Sequence, residues 1–146
     1  MKQLSFICIA ILITTMSCKS AKEIMKSATP LFDTKWSLKK IYADGIEETV
    51  NTKAFIRFDK GKSSAGGNGS CNNFGSSPTI NGNEVSFKNV FSTKMYCEQV
   101  QQIESKFLGS LGKVTRYEIK DKSLFLYKDK ELLLEFAAAE EIKSTE

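Results

Sequence analysis

The sequence of 146 residues contains no histidine. That absence excludes Cys-His nucleophilic pairs, Ser-His-Asp triads and histidine-ligated zinc. There is no C-x-x-C either, which removes the usual dithiol redox site and the four-cysteine zinc site. Neither sign of charge is concentrated: lysine and arginine alternate with aspartate and glutamate, and the formal net charge is only +4. A basic stripe for nucleic acid is therefore missing, and a solvated mixed-charge surface is expected. Carboxylates stand singly or as the neighbours Glu47-Glu48 and Glu140-Glu141. Adjacent residues on extended chain point to opposite faces, so no paired general acid and base is offered. No metal or cofactor is expected from such a composition. Long apolar runs are scarce as well. Leu4 to Ile13, broken only by Ser5, is about 15 Å long as a helix, half of a hydrocarbon core of roughly 30 Å, which disfavours a permanent transmembrane helix.

That short run has a different meaning at the N-terminus. Lys2 provides a positive start, the apolar stretch follows, and Thr14 and Thr15 lead to Met16-Ser17-Cys18, the layout of an export signal over residues 1–17. Thr15-Met16-Ser17-Cys18 resembles the lipobox of bacterial lipoproteins, in which cleavage precedes a cysteine that carries lipid. Leu is usual where Thr15 stands, and a smaller residue where Met16 stands. Lipidation of Cys18 is the expectation, and ordinary cleavage near Ser17 is the alternative. Residues 18–33 are polar, contain Pro30 and lack strand alternation, and read as a tether to a bilayer, with acyl chains supplying the affinity. Lys19 and Lys22 beside Cys18 match no acidic retention signal, so the expected place is the cell envelope, on the periplasmic side of an outer membrane. Cys8 leaves with the signal and Cys18 is blocked by lipid. Cys71 and Cys97 then remain as an even pair in an oxidising compartment, and a disulfide is inferred.

The rest of the chain reads as one domain with a single core. Trp36, Leu38 and Ile41 begin an extended segment, and Ala54 to Phe58 alternates bulky apolar residues with a charge, the pattern of a half-buried strand. Gly61 to Ser77 reads as turns. Thr79-Ile80 and Val85-Ser86-Phe87 flank Asn81-Gly82-Asn83-Glu84, and Asn-Gly is a strong hairpin signal. Val100, Ile103, Phe107, Leu108 and Leu111 mark one face of an amphipathic helix over 98–112, with Gly112 suited to its C′ position. Val114 to Ile119, Leu124 to Tyr127 and Leu132 to Phe136 read as strands, the last two a hairpin around Lys128-Asp129-Lys130. Residues 137–146 are expected to fray. The fold class is α+β, mainly antiparallel β in a curved sheet or partly closed barrel, with one helix.

Trp36-Ser37-Leu38, Phe58, Gly66 to Phe74 around Cys71-Asn72-Asn73, Thr93-Lys94-Met95-Tyr96-Cys97, and Glu104 with Phe107, Leu108 and Leu111 resemble the META domain of HslJ-like proteins over residues 34–136. Two departures stand out: Ser70 replaces the glycine that usually precedes the cysteine, and Pro78 lies near a commonly aromatic position. The resemblance implies a compact antiparallel β fold packed on one helix, a setting in lipoproteins and envelope proteins, links to heat stress and antibiotic tolerance, and no established catalytic reaction.

Individual candidates remain. The loop Gly66-Gly67-Asn68-Gly69-Ser70 lacks the Gly-Lys-Ser/Thr ending of a P-loop, and its glycines are expected to supply positive φ at a sharp turn into the disulfide. Asn68, Asn72 and Asn73 can hydrogen-bond a sugar or peptide, with Asx-turns as the structural alternative. Thr93 can join that ligand loop or serve as a near-cap of the helix, with Met95 as core filler. Together these features describe a lipid-tethered envelope module that binds a protein or small ligand, or supports envelope integrity under stress, without catalysis. A small envelope hydrolase or thiol enzyme, and a plain structural spacer, are the alternatives.

Overall fold

The computed structural model describes residues 29–139. The signal peptide, Cys18, residues 18–28 of the tether and residues 140–146 of the tail lie outside the described residues. The elements in order are β1 (Trp36–Ala43), β2 (Ile46–Thr49), β3 (Phe55–Asp59), β4 (Ser64–Asn68), β5 (Asn73–Asn81), β6 (Glu84–Ser92), α1 (Gln101–Leu111), β7 (Arg116–Lys120), β8 (Ser123–Lys128) and β9 (Glu131–Ala138). The nine strands form one sheet in the order β2-β1-β3-β4-β5-β6-β7-β8-β9, and β1 also pairs with β9, so the sheet curves into a ring. Every pairing between these strands is antiparallel. The expected α+β class, mainly antiparallel with one helix, is what the chain adopts. No helix among the described residues is long and apolar enough to cross a membrane.

Alternation explains most of the core. Ile56 and Phe58 of β3 are buried while Arg57 between them is exposed, and Leu124 and Leu126 of β8 turn inward in the same way. In β1 the buried residues are Trp36, Leu38 and Ile41, three apart at the end, because the register against β9 shifts between Leu38 and Lys40. Such a bulge moves the following side chain to the other face. The weakest seam of the ring is β6 to β7, where Glu84 opposite Arg116 is the sole register pair. Two backbone bonds, Val85 N–H to Thr115 O (3.0 Å) and Tyr117 N–H to Asn83 O (2.9 Å), support it. The helix α1 connects these two strands and inserts Phe107 and Leu111, both fully buried, into the interior. The Phe107 ring meets Phe74 edge-on at 5.4 Å and Phe136 at 5.9 Å, separations at which aromatic pairs attract beyond their area burial.

Several expectations are corrected. The supposed turn region Gly61 to Ser77 contains β4 and the start of β5. Its glycines are not left-handed, since Gly45 and Gly82 are the described glycines with positive φ. They permit close approach instead: a Cβ on Gly67 would lie 2.0 Å from the Phe55 carbonyl oxygen of the neighbouring strand. Positive φ in this region belongs to two serines instead, Ser63 at 48° and Ser70 at 110°. Pro78 lies in β5 opposite Phe87, beyond the last β4 partner Ser76, so its missing N–H falls where β5 has only one neighbour. The helix starts at Gln101, not 98, and Gly112 has a right-handed φ of −66° instead of a left-handed C′ conformation. The tether ends before residue 33, because Leu31 is buried, its carbonyl accepts the Trp36 indole N–H at 3.0 Å, and Phe32 bridges to Phe58. Residues 137 and 138 do not fray; they extend β9, opposite Ser37 and Trp36.

Candidate functional site

Cys71 and Cys97 form a disulfide with Cα atoms 5.9 Å apart. It clamps the loop after β4 to the segment between β6 and α1. At the same place Glu104, on the buried stripe of α1, points a carboxylate into the loop. Its Oε2 accepts the backbone N–H of Cys71 (3.1 Å) and of Asn72 (2.6 Å), and its Oε1 accepts the Asn72 side-chain Nδ2–H (2.6 Å). Asn72 is itself buried. Its Nδ2 also donates to the Met95 carbonyl (2.9 Å), while its Oδ1 accepts the Thr93 hydroxyl (2.8 Å) and the Met95 N–H (2.7 Å). The Met95 N–H can only donate and the Met95 carbonyl can only accept, so together they fix the orientation of the Asn72 amide. A Cβ on Gly69 would stand 2.6 Å from Glu104 Oε2, so the glycine is required for the carboxylate to reach the loop.

This node joins three segments distant in sequence through a buried charge whose acceptor sites face donors, the condition under which a buried polar network rigidifies a fold. It leaves the buried Asn72 little capacity for a ligand, while the Thr93 hydroxyl spends its hydrogen on Asn72. Thr93 bonds the loop and does not cap α1, for which no side-chain cap exists. Met95 is 58% exposed, so it is not core filler; its backbone is what the node uses.

Asn68 and Asn73 are placed differently. Asn68 Oδ1 accepts Ser70 N–H at 2.9 Å, an Asx-turn, and its Nδ2 donates to Asn73 Oδ1 at 3.1 Å. Both line an open cleft of about 570 Å³ with Lys35, Lys53, Thr52, Ser37, Ser70 and Phe55. The sequence-derived ligand loop is therefore split: Asn72 and Thr93 lie in the node, and Asn68 and Asn73 face the cleft. Glu104 was legible as a polar residue on the apolar face of α1, four after Val100 and three before Phe107. Lys35, Lys53 and Thr52 carried no signal, because they come from separate segments and lysine is common throughout the chain.

Groups with shifted titration lie elsewhere. Burial, then the hydrogen bond to Glu135, pushes the Tyr42 phenol up to about 12. The bond between Lys40 and Glu47 raises the lysine and lowers the carboxyl, and Lys120 lowers Glu118. These are surface partners on β1, β2, β7 and β9. Among the described residues no group of three Cys, Asp or Glu is placed to hold a metal ion.

Fold and site together define a class: a small ring-like β domain with an internal helix, stapled beside a buried Asn-Glu node. Residues 29–141 match the model of the META domain, and the chain belongs to that family. A solved structure described as the NMR structure of the protein from Burkholderia xenovorans is similar, with a TM-score of 0.63 and 24% identity over 75% of this chain and 83% of that one. Another, described as an NMR structure of a protein, has a TM-score of 0.56 and 19% identity over 74% of this chain and 91% of that one. Both likenesses concern the fold alone. Among curated proteins none matches.

Proposed function

We propose that this META-domain protein is a non-catalytic binding module held to the cell envelope by lipid on Cys18. One observation carries the non-catalytic part: the groups that a reactive centre would need are engaged in structure. Cys71 and Cys97 are joined to each other, and the Glu104 carboxylate holds the backbone of the cysteine loop. An envelope thiol enzyme requires a free, low-pKa thiolate, and neither domain cysteine offers one. Asn68 and Asn73 remain on an open cleft, which suits recognition better than a spacer. The tether rests on the residues before the domain, where the export-signal layout ends at Cys18.

The intact mass of protein extracted from membranes tests the tether. A chain beginning at Cys18 with added acyl groups supports the reading, and a chain retaining Met1 overturns it. Incubation of the same preparation with ester, amide and glycoside substrates tests the absence of catalysis. Turnover that disappears in Asn73→Ala, a variant outside the buried node, would establish the hydrolase alternative.

A further inference from the structure

The cleft bordered by Asn68 and Asn73 has an unbalanced hydrogen-bonding capacity. Asn68 Oδ1 is engaged by Ser70 N–H, a backbone donor that fixes the amide orientation. Its Nδ2 must then face an acceptor, which makes the contacting atom of Asn73 its Oδ1. Each amide oxygen thereby accepts one internal bond, and the Nδ2 group of Asn73 keeps its hydrogens for an external partner. The Thr52 oxygen accepts from Ser70 Oγ (2.8 Å) and from Ala54 N–H (3.2 Å). Whichever way the two hydroxyls are turned, one hydroxyl hydrogen of that pair is left over. Ser37 adds a further hydroxyl to the wall.

Charge points the same way. Lys35 and Lys53 line the cleft, no acidic side chain does, and neither lysine has a carboxylate partner among the described residues. The Lys35 ammonium stands 4.4 Å from the centre of the Phe55 ring, a contact that holds the charge at the rim without neutralising it. The lining thus offers two cations and spare amide and hydroxyl donors, with no carboxylate among them.

We infer that this cleft binds the phosphoryl group of an organic phosphate. A carboxylate brings one charge and two oxygens, whereas a phosphate monoester brings close to two charges and three strong acceptor oxygens. That matches a cleft lined by two lysines together with amide and hydroxyl donors. The cleft, about 570 Å³, exceeds a lone phosphate and leaves room for the esterified group along Phe55 and Ser37. This deepens the binding-module reading and rests on it. The same chemistry occurs in a soluble phosphate monoester and in phosphatidic acid, the lipid whose headgroup is itself a phosphate monoester.

The test uses the full-length chain extracted from membranes in neutral detergent and titrated with glycerol phosphate, with glycerol as the uncharged control. Saturable binding of glycerol phosphate and none of glycerol is expected. Lys35→Gln and Lys53→Gln each weaken it about fivefold, the size of a partly exposed charge contact. The double variant weakens it about 25-fold, and Lys113→Gln, an exposed lysine away from the cleft, leaves it unchanged. Binding also weakens as salt is raised, because rim charges are screened. A second arm compares vesicles of phosphatidylcholine with and without phosphatidic acid, to which the anchor contributes equally. Preference for phosphatidic acid that is lost in the double variant assigns the site to a lipid headgroup; a preference that is absent, or that the variant leaves unaltered, assigns it to a soluble ester. No saturable response to glycerol phosphate, or one whose affinity the double variant leaves unchanged, overturns the inference. Those results differ from failure of the module itself, which shows as turnover or as an unprocessed N-terminus.

Discussion

Replacing Glu104 by glutamine removes one charge and keeps the shape, and the donors that surround the carboxylate set the cost. The amide can be placed in two ways. With Nε2 at the Oε2 position, two backbone donors, Cys71 N–H and Asn72 N–H, face another donor. With Nε2 at the Oε1 position, only Asn72 Nδ2 does. Asn72 cannot respond by rotating its amide, because its Oδ1 already serves Thr93 and Met95. The second placement is the less costly. It still leaves a buried donor against a donor and converts two charge-assisted bonds into neutral ones. At roughly 1.5–3 kcal/mol for a hydrogen bond to a charged group, Glu104→Gln costs about 3 kcal/mol. For a domain of about 100 residues that corresponds to a fall in Tm of roughly 12–20 °C. Denaturant unfolding followed by circular dichroism, with the disulfide intact, measures it, and an unchanged slope shows that only stability moved. Glu98→Gln, at an exposed position outside the node, serves as the control. A loss below about 1 kcal/mol for Glu104→Gln would refute the claim that this carboxylate organises the cysteine loop.

Three further predictions concern single positions. Ser70 has a φ of 110° and donates to Thr52, so Ser70→Ala loses the bond and keeps the strain while Ser70→Gly loses both; Ser70→Gly should be the more stable by about 1–2 kcal/mol in urea unfolding. A Cβ on Gly67 meets backbone 2.0 Å away, so Gly67→Ala forces β3 and β4 apart and lowers Tm more than any substitution on exposed β2. Tyr42, pushed up to about 12 by burial and its bond to Glu135, keeps its proton in the folded state above the ordinary value near 10. Its contribution is complete below about pH 10 and is lost as pH rises towards 12, so alkaline unfolding curves should show a decline there that Tyr42→Phe lacks.

What the sequence disclosed depended on whether side chains carried a pattern. The β3, β8 and β9 segments and the Asn81-Gly82 hairpin alternate bulky residues or use a turn that demands glycine, and they were legible. The strands β4 and early β5, written Ser64-Ala65-Gly66-Gly67-Asn68 and Asn73-Phe74-Gly75-Ser76, have almost no side chains with which to alternate, so a Gly-rich strand looked like a turn. The short edge strand β2, Ile46-Glu47-Glu48-Thr49, was hidden by its charges, a common protection of sheet edges. The cysteine pair followed from counting. The role of Asn72 did not, since its partner Glu104 lies 32 residues away and only the fold brings them together. The cleft was least visible of all: Lys35, Lys53 and Asn73 are distant in sequence and line one cleft only in the folded chain.

We propose an oxidised, stapled binding module in place of a thiol enzyme, and the state of its two domain cysteines separates the two. Alkylation of native protein taken directly from the envelope, read by intact mass with and without prior reduction, tests it most directly. The account predicts that Cys71 and Cys97 take up no alkylating agent until the protein is reduced, and then take it up at both positions. Ready alkylation of either cysteine without reduction would contradict it and return the thiol-enzyme reading to first place.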